Sequence, residues 1–571
     1  MDATMLRTFV LGASAVTVIF IWRKLYPKPY PGIPYVEASA QRISGDIPHL
    51  MEAMKLTDEA TNSMFAISTQ KLGTPIAQVL FPGFARPLIT VDDPIEVEDI
   101  VVRRQKEFDK SPMAVQIFEP MFPHGSLSQF TTPKLKEQKR LWADVMKVDF
   151  LRKAAGPKIY TAMLEVLELW HIKASSIYEE KPFSVIDDFK NATLDVIWAS
   201  LVGNESGIMR FEIEKLKEQI ASGKGKDGIK MKAPPSAAIK DEVAYVEHAI
   251  AKNARTPMPT WAQKLETYTP RYRKFRSTIS SKISQAMKDS VRRYERLQAG
   301  ALEDDAFDTC MMDLVLRRQI LEAKKKGEAP TDPTKDQYML DEMFIMLVGG
   351  HDSTANSLAW FLRFMELYPS VQKDLRTEVE AAFPQSKTPS LDQILDTNIP
   401  YLDAVCEESL RLAGTSKGNL RQAVIDTEIL GCRIPKGAEV LLNLHINHPL
   451  LPVDDLKRSP SSKAAIDKHG YRLSDTITSS LSLFDPTRWL TRDQSTDSDV
   501  FNPYAVPSLA FGGGIRGCFG RKLATMEFRI AVVLLILNFE FLELPQELKS
   551  MLASEAIFRQ PQKPFVRVKV L

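Results

Sequence analysis

Cysteine is scarce in this sequence, which has four cysteines among 571 residues (Cys310, Cys406, Cys432 and Cys518) and no CxxC pair. This set argues against a disulfide framework and against a zinc site of ordinary spacing, and it fits a reducing compartment. A charge excess is also missing, because 74 basic and 72 acidic residues leave a net charge of +2. The composition therefore points to no nucleic-acid partner.

The sequence also lacks segments that would mark a boundary between domains. A chain of 571 residues is long enough for two or more domains, but no Gly/Ser-rich linker and no internal repeat divides it. We therefore expect one large domain over residues 37–571, mostly helical by hydrophobic periodicity. One β-hairpin is expected where a Pro-Lys-Gly turn at 435–437 precedes the alternating pattern of residues 439–444.

The N-terminus carries the longest uncharged apolar segment, from Thr8 to Trp22, followed by Arg23-Lys24 and a proline-rich stretch. Fifteen residues are fewer than the roughly 20 that span a bilayer, but Met5 and Leu6 can extend the segment. We predict a signal anchor at 1–26 and a hinge at 27–36. A cleaved signal peptide lacks a small-residue cleavage site here, and a mitochondrial transit peptide would be richer in Arg and Ser.

A glycine-lined loop near the C-terminus, FGGGIRGCFG from Phe511 to Gly520, presents one cysteine beside one arginine and runs into an apolar helical pattern at 522–537. Cysteine at a helix start is stabilised as thiolate by unpaired N–H groups and by the positive end of the helix dipole. Thiolate is the form of cysteine that binds metals, and a single thiolate suits haem iron.

Two other interpretations of this loop remain open. Gly512, Gly514 and Gly517 also satisfy the dinucleotide fingerprint GxGxxG, but a βαβ unit is required around it, and here prolines precede the loop and the chain ends soon after. The loop could also be a glycine-rich turn with a buried structural cysteine.

A charged pair lies on an otherwise apolar helix, in the run PYLDAVCEESLRLAG. Glu408 and Arg411 share a face at i and i+3, and buried charges need partners. The later segment FDPTRW supplies Arg488, whose fork could join the same carboxylate. Taken alone, such a pair is more often a surface ion pair of little energetic value.

Two glycines interrupt a long helical pattern that runs from about Tyr338 to Leu367, in the run LVGGHDSTAN. Each glycine inside a helix costs on the order of 1 kcal/mol against alanine. Without side chains at Gly349 and Gly350, the helix can approach a flat ligand or open to admit a small one. The acid and hydroxyls that follow could relay protons; the alternative is a kink with local side-chain to backbone bonds.

Taken together and in this order, these segments resemble those of the cytochrome P-450 family of haem-thiolate monooxygenases, of the microsomal eukaryotic type. The resemblance spans Gly349 to Gly520 and extends weakly over the rest of the chain. It implies a mainly α fold with small β-sheets around a buried haem b, behind an N-terminal transmembrane helix.

The resemblance also assigns roles to single residues. Cys518 would be the axial ligand of the haem iron, in a loop whose family pattern includes Phe511, Gly514 and Gly520. Arg516 and Arg421 would meet haem propionates. Three residues of the glycine-containing helix would deliver protons: Asp352, Ser353 and Thr354. A buried triad would be structural: Glu408, Arg411 and Arg488.

The sequence departs from the family pattern at a few positions. Ser353 stands where most members have threonine, although a primary alcohol can form the same hydrogen bonds. The helical W-x-x-x-R pattern is poorly kept, with Gln138 and Trp142 near its two positions and Lys139 or Arg140 as possible substitutes. Two polar stretches, near 223–235 and 454–480, look like surface insertions.

The function implied is a monooxygenase that hydroxylates or epoxidises an apolar small molecule of secondary metabolism. Electrons would come from NADPH through a separate flavoprotein reductase, at the cytosolic face of the endoplasmic reticulum membrane. A reductase-independent isomerase or dehydratase is the alternative enzyme, but Asp352 and Ser353 argue against it. A membrane-anchored haem sensor is the non-enzymatic alternative. The pocket lining is expected from residues 112–130 and 413–419.

Overall fold

The computed structural model describes the following residues, to which all structural statements refer: 22–55, 57–83, 85–177, 179, 181–223, 237–256, 258–300, 308–329, 332–469 and 480–571.

Helices dominate this part of the chain. In chain order they are α1 Glu37–Ala40, α2 Ile47–Ala53, α3 Ala60–Ala66, α4 Pro94–Val102, α5 Pro112–Phe118, α6 Pro133–Trp142, α7 Val148–Phe150, α8 Gly156–Ile172, α9 Ile186–Val202, α10 Ile208–Ser222, α11 Ala237–Ala254, α12 Pro259–Thr267, α13 Pro270–Gln298, α14 Met311–Lys326, α15 Gln337–Leu367, α16 Pro369–Ala382, α17 Leu391–Asp396, α18 Pro400–Ala413, α19 Pro460–His469 and α20 Arg521–Asn538.

The strands are short and form small sheets. They are β1 Ile76–Val79, β2 Leu88–Val91, β3 Phe108–Lys110, β4 Phe183–Ser184, β5 Gly418–Ala423, β6 Thr427–Ile429, β7 Cys432–Ile434, β8 Glu439–Asn443, β9 Leu490–Asp493, β10 Ser498–Phe501, β11 Phe539–Phe541, β12 Ala553–Glu555, β13 Arg559–Pro561, β14 Phe565–Val566 and β15 Val568–Val570. The expectation of a mainly α protein with small sheets is confirmed.

The chain forms two compact units. The first comprises the described residues of Met1–Ser111, Lys417–Ser482 and Pro507–Gly517, and the second those of Pro112–Ser416, Leu483–Val506 and Cys518–Leu571.

The first unit contains the largest sheet, a five-stranded one in the order β1-β2-β8-β5-β3. β8 pairs parallel with β2 and antiparallel with β5, where Arg421 lies opposite Val440. All five residues of β8 are buried, as expected for a central strand. The predicted hairpin is therefore wrong: β8 is a strand, but its partners are distant in sequence, and β7 pairs with β6.

The predicted insertion at 454–480 is attached to α4 in this unit. Arg458 forms an ion pair with Asp93 at 2.7 Å, and the hydroxyls of Ser459 and Ser461 both donate to Asp99. Asp93 also caps α4 by accepting from the Glu96 N–H. Residues 470–479 lie outside the described residues, as do 224–236 of the other predicted insertion.

The core of the second unit surrounds α15, a helix of 31 residues and therefore about 46 Å long. The Asp336 side chain begins it by accepting from the N–H groups of Tyr338 and Met339, and Pro369 follows its end. α15 agrees with the predicted helix from Tyr338 to Leu367, and α20 agrees with the apolar pattern at 522–537. Both patterns were long and strongly periodic, which is why the sequence identified them.

The Gln78 side chain bonds the proline-rich segment 27–36 at three backbone atoms. Gln78 of β1 donates to the carbonyls of Tyr30 and Ile33 and accepts from the Tyr30 N–H. The predicted anchor at 1–26 lies mostly outside the described residues, which begin at Trp22. No helix in the described part of the chain is both long and apolar enough to cross a bilayer.

Candidate functional site

The glycines of the C-terminal loop fit closely against α4 in the first unit. A Cβ on Gly513 would lie 2.7 Å from Val102, and one on Gly514 would lie 2.2 Å from the Val101 carbonyl. Gly512 and Gly514 have φ angles of +61° and +62°, in the left-handed region that residues with side chains rarely adopt. The loop backbone can take this path only with glycine at these positions.

Two arginines of the first unit approach each other with little compensating charge. Arg421 of β5 and Arg516 of the loop are mostly buried, and Arg516 Nη2 lies 3.9 Å from Asp109. Burial and then the charge of Arg516 lower the pKa of Arg421, Asp109 acts against both, and the net result is a pKa of about 10. Burial also lowers the pKa of Arg516.

The two terminal nitrogens of Arg421 have different surroundings. Nη1 bonds the Asn419 side chain, but Nη2 is buried and has no hydrogen-bond partner among the described residues. A buried cationic donor without an acceptor is costly. An anion with several oxygens would satisfy this nitrogen and would also attract the neighbouring Arg516 guanidinium, and the carboxylates of a haem fit this requirement.

Cys518 lies two residues before the N-cap of α20 in the second unit, so its sulfur is close to the helix start. Solvent reaches its side chain, but the rest of its surroundings consists of protein atoms. That burial raises the pKa of the thiol, while the Gly520 N–H and the charges of Lys139 and Arg521 lower it. The helix start therefore does not by itself make a thiolate here, and binding of a cation would release the proton.

Gly520 contributes space rather than an unusual backbone angle. Its φ is −83°, and no described atom lies within 4 Å of the position that a Cβ would take. The region beside the cysteine is therefore open. An accessible sulfur with open space at its side fits a bulky metal-centred group.

Glu408 of α18 is the centre of a buried ionic cluster in the second unit. Arg411 donates to both of its oxygens at 2.8 Å, and Arg488 Nε donates to Oε1 at 3.1 Å. Trp489 Nε1 and the Asp485 N–H also donate to this carboxylate, at 2.9 and 3.1 Å. The sequence pointed to the two arginines but not to the tryptophan, whose indole N–H next to Arg488 was the available signal.

The two glycines of α15 face different surroundings. Gly349 is exposed in the middle of a mostly buried helix, and no described atom lies near the position of an added Cβ. Gly350 packs on α9, where a Cβ would lie 2.8 Å from Ile197. One glycine therefore leaves open space beside the helix, and the other allows close helix packing.

The three residues predicted to deliver protons point in different directions. The Ser353 hydroxyl donates to the Gly349 carbonyl at 2.7 Å and lies on the same face as the open space. Asp352 is buried and its Oδ1 lies 2.7 Å from Lys190 Nζ of α9. Thr354 is buried and its hydroxyl is 3.4 Å from the Gly350 carbonyl. The structure therefore brings Ser353, and not Thr354, to the open face.

Lys190 was not found from the sequence, because its helix lies about 160 residues before Asp352. Burial, the largest single effect, lowers the pKa of Lys190, but the charge and hydrogen bond of Asp352 together with the charges of Glu247 and Asp187 outweigh it, so the net shift is upward. The side chain of Lys190 is 31% exposed, against 5% for Asp352. Lys190 thus connects a buried carboxylate to solvent.

Gln138 takes part in a polar network on α15. Its amide donates to Glu342 Oε2 at 2.9 Å, and the Ser126 N–H and hydroxyl donate to the same carboxylate at 2.8 Å. Burial raises the pKa of Glu342, and the Ser126 bonds act against it. Gln138 therefore fixes the loop before α6, while Trp142 is buried and Arg140 pairs with Glu322 at the surface.

Comparison with known proteins gives consistent results. The family model described as Cytochrome P450 matches residues 48–449 and 482–568. The curated protein Cytochrome P450 monooxygenase TRI13 of Fusarium sporotrichioides is 29% identical over 590 residues, covering 98% of each chain. Cytochrome P450 monooxygenase xilC of Penicillium rubens is 32% identical over 585 residues, covering 99% of this chain and 96% of the relative.

Solved structures share the fold. The crystal structure of the cytochrome P450DA heme domain superposes with a TM-score of 0.65 over 96% of this chain and 98% of that one, at 19% sequence identity. At this identity the similarity concerns the fold alone.

Proposed function

The chain belongs to the cytochrome P450 family and is a haem-dependent monooxygenase, and from this we propose that it oxidises an apolar small molecule of fungal specialised metabolism. The two full-length relatives come from filamentous fungi and are named as monooxygenases. The polar insertions and the changed pattern at Gln138 and Trp142 support a specialised rather than a housekeeping substrate.

The observation that carries the haem assignment to particular residues is the unpartnered nitrogen of Arg421. Its buried Nη2, together with the nearby Arg516, calls for an anionic partner. We assign the propionates of haem b to these two arginines and the axial ligand to Cys518. Haem bound in this way supplies the iron at which dioxygen is activated.

The residues of α15 have separate tasks in this proposal. Ser353 presents a hydroxyl at the open face, where it can donate to or accept from a reacting oxygen. Asp352 holds or exchanges a proton with solvent through Lys190. Gly349 keeps the helix surface free of side-chain atoms next to Ser353. Thr354 has a buried hydroxyl and is assigned to helix packing.

The glutamate triad is assigned a structural task. Glu408, Arg411 and Arg488 neutralise each other inside the second unit, which joins α18 to the Pro486–Trp489 turn. None of the three has an exposed charge that could act on a substrate.

The remaining parts of the proposal concern electrons and location. NADPH would supply electrons through a separate flavoprotein reductase, as the resemblance to microsomal members of the family implies. Residues 1–26 would anchor the protein in the endoplasmic reticulum with its catalytic part in the cytosol. Membrane fractionation of the full chain, compared with a variant lacking residues 1–26, tests the anchor: only the full chain should sediment with membranes after a high-salt wash.

The haem assignment is tested by the visible spectrum of the full chain, reduced with dithionite under carbon monoxide. We expect the red-shifted Soret band of thiolate-ligated haem, its loss in Cys518→Ala and its retention in Cys432→Ala, a control at another cysteine. A band of the imidazole type that survives Cys518→Ala would overturn the assignment. Failure of the wild-type chain to bind haem would overturn the proposed function.

A further inference from the structure

A second buried acid and base lie behind the open face of α15. His351, the residue before Asp352, has its Nε2 atom 3.4 Å from Glu247 Oε1 of α11. Both side chains are nearly excluded from solvent, at 5% for His351 and 12% for Glu247. The role proposed above uses Asp352 and Lys190 but leaves this pair unexplained.

The other nitrogen of His351 determines how the pair can be protonated. Nδ1 lies 3.0 Å from the Leu347 carbonyl, and a carbonyl can only accept a hydrogen bond. Nδ1 therefore carries the hydrogen, and Nε2 of the neutral ring has a lone pair that faces Glu247. Oε1 of Glu247 is buried and makes no hydrogen bond to a described residue in this arrangement. A proton on Glu247 would therefore bond Nε2 after a small turn of the carboxyl group, whereas an ionised Glu247 would repel the lone pair unless Nε2 also gained a proton.

Charge counting limits the pair to one proton. If both groups were protonated, the imidazolium of His351 would be buried close to the cation Lys190. If neither were, the carboxylate of Glu247 would face the lone pair of Nε2 near Asp352. Both extremes are unfavourable in a poorly solvated site. A single proton, held on Glu247 beside the neutral ring of His351, avoids both extremes.

The pKa directions agree with this geometry. Burial, followed by the charge of Asp352, raises the pKa of Glu247 well above its usual value, and Lys190 acts against both. Burial lowers the pKa of His351, against the effect of Asp352. The charges that face the pair come from Lys190 of α9 and Asp352 of α15. Asp187 acts on Lys190.

Glu242, the buried acid on the other side of α11, already has a partner. Arg271 of α13 bonds Glu242, which precedes Glu247 by five residues. The pair Glu247 and His351 therefore has Lys190 and Asp352 as its main ionic neighbours.

We propose that Glu247 and His351 hold one proton in common and serve as a proton reservoir for Asp352, with Lys190 as the connection to solvent. This inference rests on the proposed monooxygenase function. Each turnover of such an enzyme combines the substrate R–H with O2, two protons and two electrons to give R–OH and water, the electrons coming from NADPH through the reductase. Glu247 would act as a positioning residue, because it supplies a proton through Asp352 and does not touch the reacting atoms.

The first test does not depend on haem or activity. Infrared spectra of the full-length protein in H2O and D2O at neutral pH detect the carbonyl stretch of a protonated carboxylic acid. We expect Glu247→Gln to remove one component of this band, because glutamine keeps a donor toward His351 but has no acid proton. Glu218→Gln, at an exposed position of α10, is the matched control and should leave the band unchanged. An unchanged band in Glu247→Gln would overturn the shared proton.

The second test measures the proposed role. With haem, reductase and NADPH present and no organic substrate added, the protein reduces dioxygen either with two electrons and two protons to hydrogen peroxide or with four electrons and four protons to two molecules of water. NADPH supplies the electrons in both cases, and water formation draws on the additional protons. We expect Glu247→Gln to lower the ratio of water to peroxide several-fold and to change its pH profile, with the spectrum of the carbon monoxide complex unchanged. An unchanged ratio with a lost infrared component would overturn the reservoir role. A missing Soret band in the wild type would instead contradict the proposed function.

Discussion

Arg488 donates to Glu408 across 3.1 Å and thereby fixes the Pro486–Trp489 turn to α18. Both side chains are almost completely buried, and Arg411 and Trp489 donate to the same carboxylate. With the backbone N–H of Asp485, five N–H groups from four residues converge on its two oxygens, so the carboxylate is the member whose loss removes the largest number of hydrogen bonds.

Replacing that carboxylate should destabilise the second unit strongly. We expect Glu408→Ala to lower the free energy of unfolding by about 3–5 kcal/mol, because it leaves two buried guanidinium groups uncompensated. Chemical denaturation of the purified protein measures the change. Glu407→Ala is the control on the same helix and should cost less than about 1 kcal/mol. Equal losses in the two variants would contradict the central position of Glu408.

Removing Arg421 should weaken haem binding without weakening the haem-free protein. In Arg421→Gln, a buried cation that repels Arg516 is lost, so the apoprotein should be at least as stable as the wild type. Haem release to an excess of apomyoglobin should become about 10-fold faster, on the scale of one charge-assisted hydrogen bond.

The exposed Arg433 of β7 offers a control for this experiment, because its pair with Asp426 lies at the surface. Arg433→Gln should release haem at the wild-type rate. If Arg421→Gln also did so, the propionate assignment would be wrong.

The two glycines of α15 should respond in opposite ways to alanine. Gly349→Ala meets no described atom, so the helix should gain about 1 kcal/mol of stability from alanine. Gly350→Ala meets Ile197 at 2.8 Å and should lose about 1–3 kcal/mol from overpacking. Thermal unfolding of the apoproteins compares them.

The partner of Gly350 allows a rescue. Ile197→Val removes a methylene from the side chain that an alanine at 350 would meet, so the double variant Gly350→Ala, Ile197→Val should recover part of the loss. Strict additivity of the two single changes would contradict the direct contact.

The stability of the protein should depend on pH through Glu527 of α20. Full burial raises the pKa of this carboxyl to about 8, and its Oε1 has no hydrogen-bond partner in the described part of the chain. The folded state therefore holds a proton that the unfolded chain releases near the ordinary glutamate pKa of 4.5. This contribution to stability is complete at low pH and is lost as pH rises toward 8, at about 1.4 kcal/mol per pH unit.

Denaturation curves of wild type and Glu527→Gln between about pH 5 and pH 9 measure this effect, because stability changes with pH only where the two states bind different numbers of protons. The difference in unfolding free energy between the two proteins should shift steadily in favour of the variant up to about pH 8 and then level off. Glu540→Gln, at a more exposed position of β11, should run parallel to the wild type at every pH. A constant difference for Glu527→Gln would contradict the raised pKa.

Local patterns in the chain were sufficient to predict several elements. The long periodic segments predicted α15 and α20 within one residue at each end, because helix periodicity and capping are properties of neighbouring residues. The glycines around Cys518 and the pair Glu408 and Arg411 were likewise visible, since a tight loop and an i, i+3 pair are local. The family could be inferred from these motifs before any contact was known.

Features that depend on distant partners became known only from the packed structure. β8 pairs with β2, far along the chain, and with β5, beyond the β6–β7 hairpin, so its local turn predicted the wrong pairing. Asp352 and Ser353 are adjacent in sequence, but helix rotation turns one toward Lys190 and the other toward open space. Lys190 and Glu247 acquire their roles only when α9 and α11 pack on α15, because burial and neighbouring charge, which set a pKa, come from three-dimensional packing.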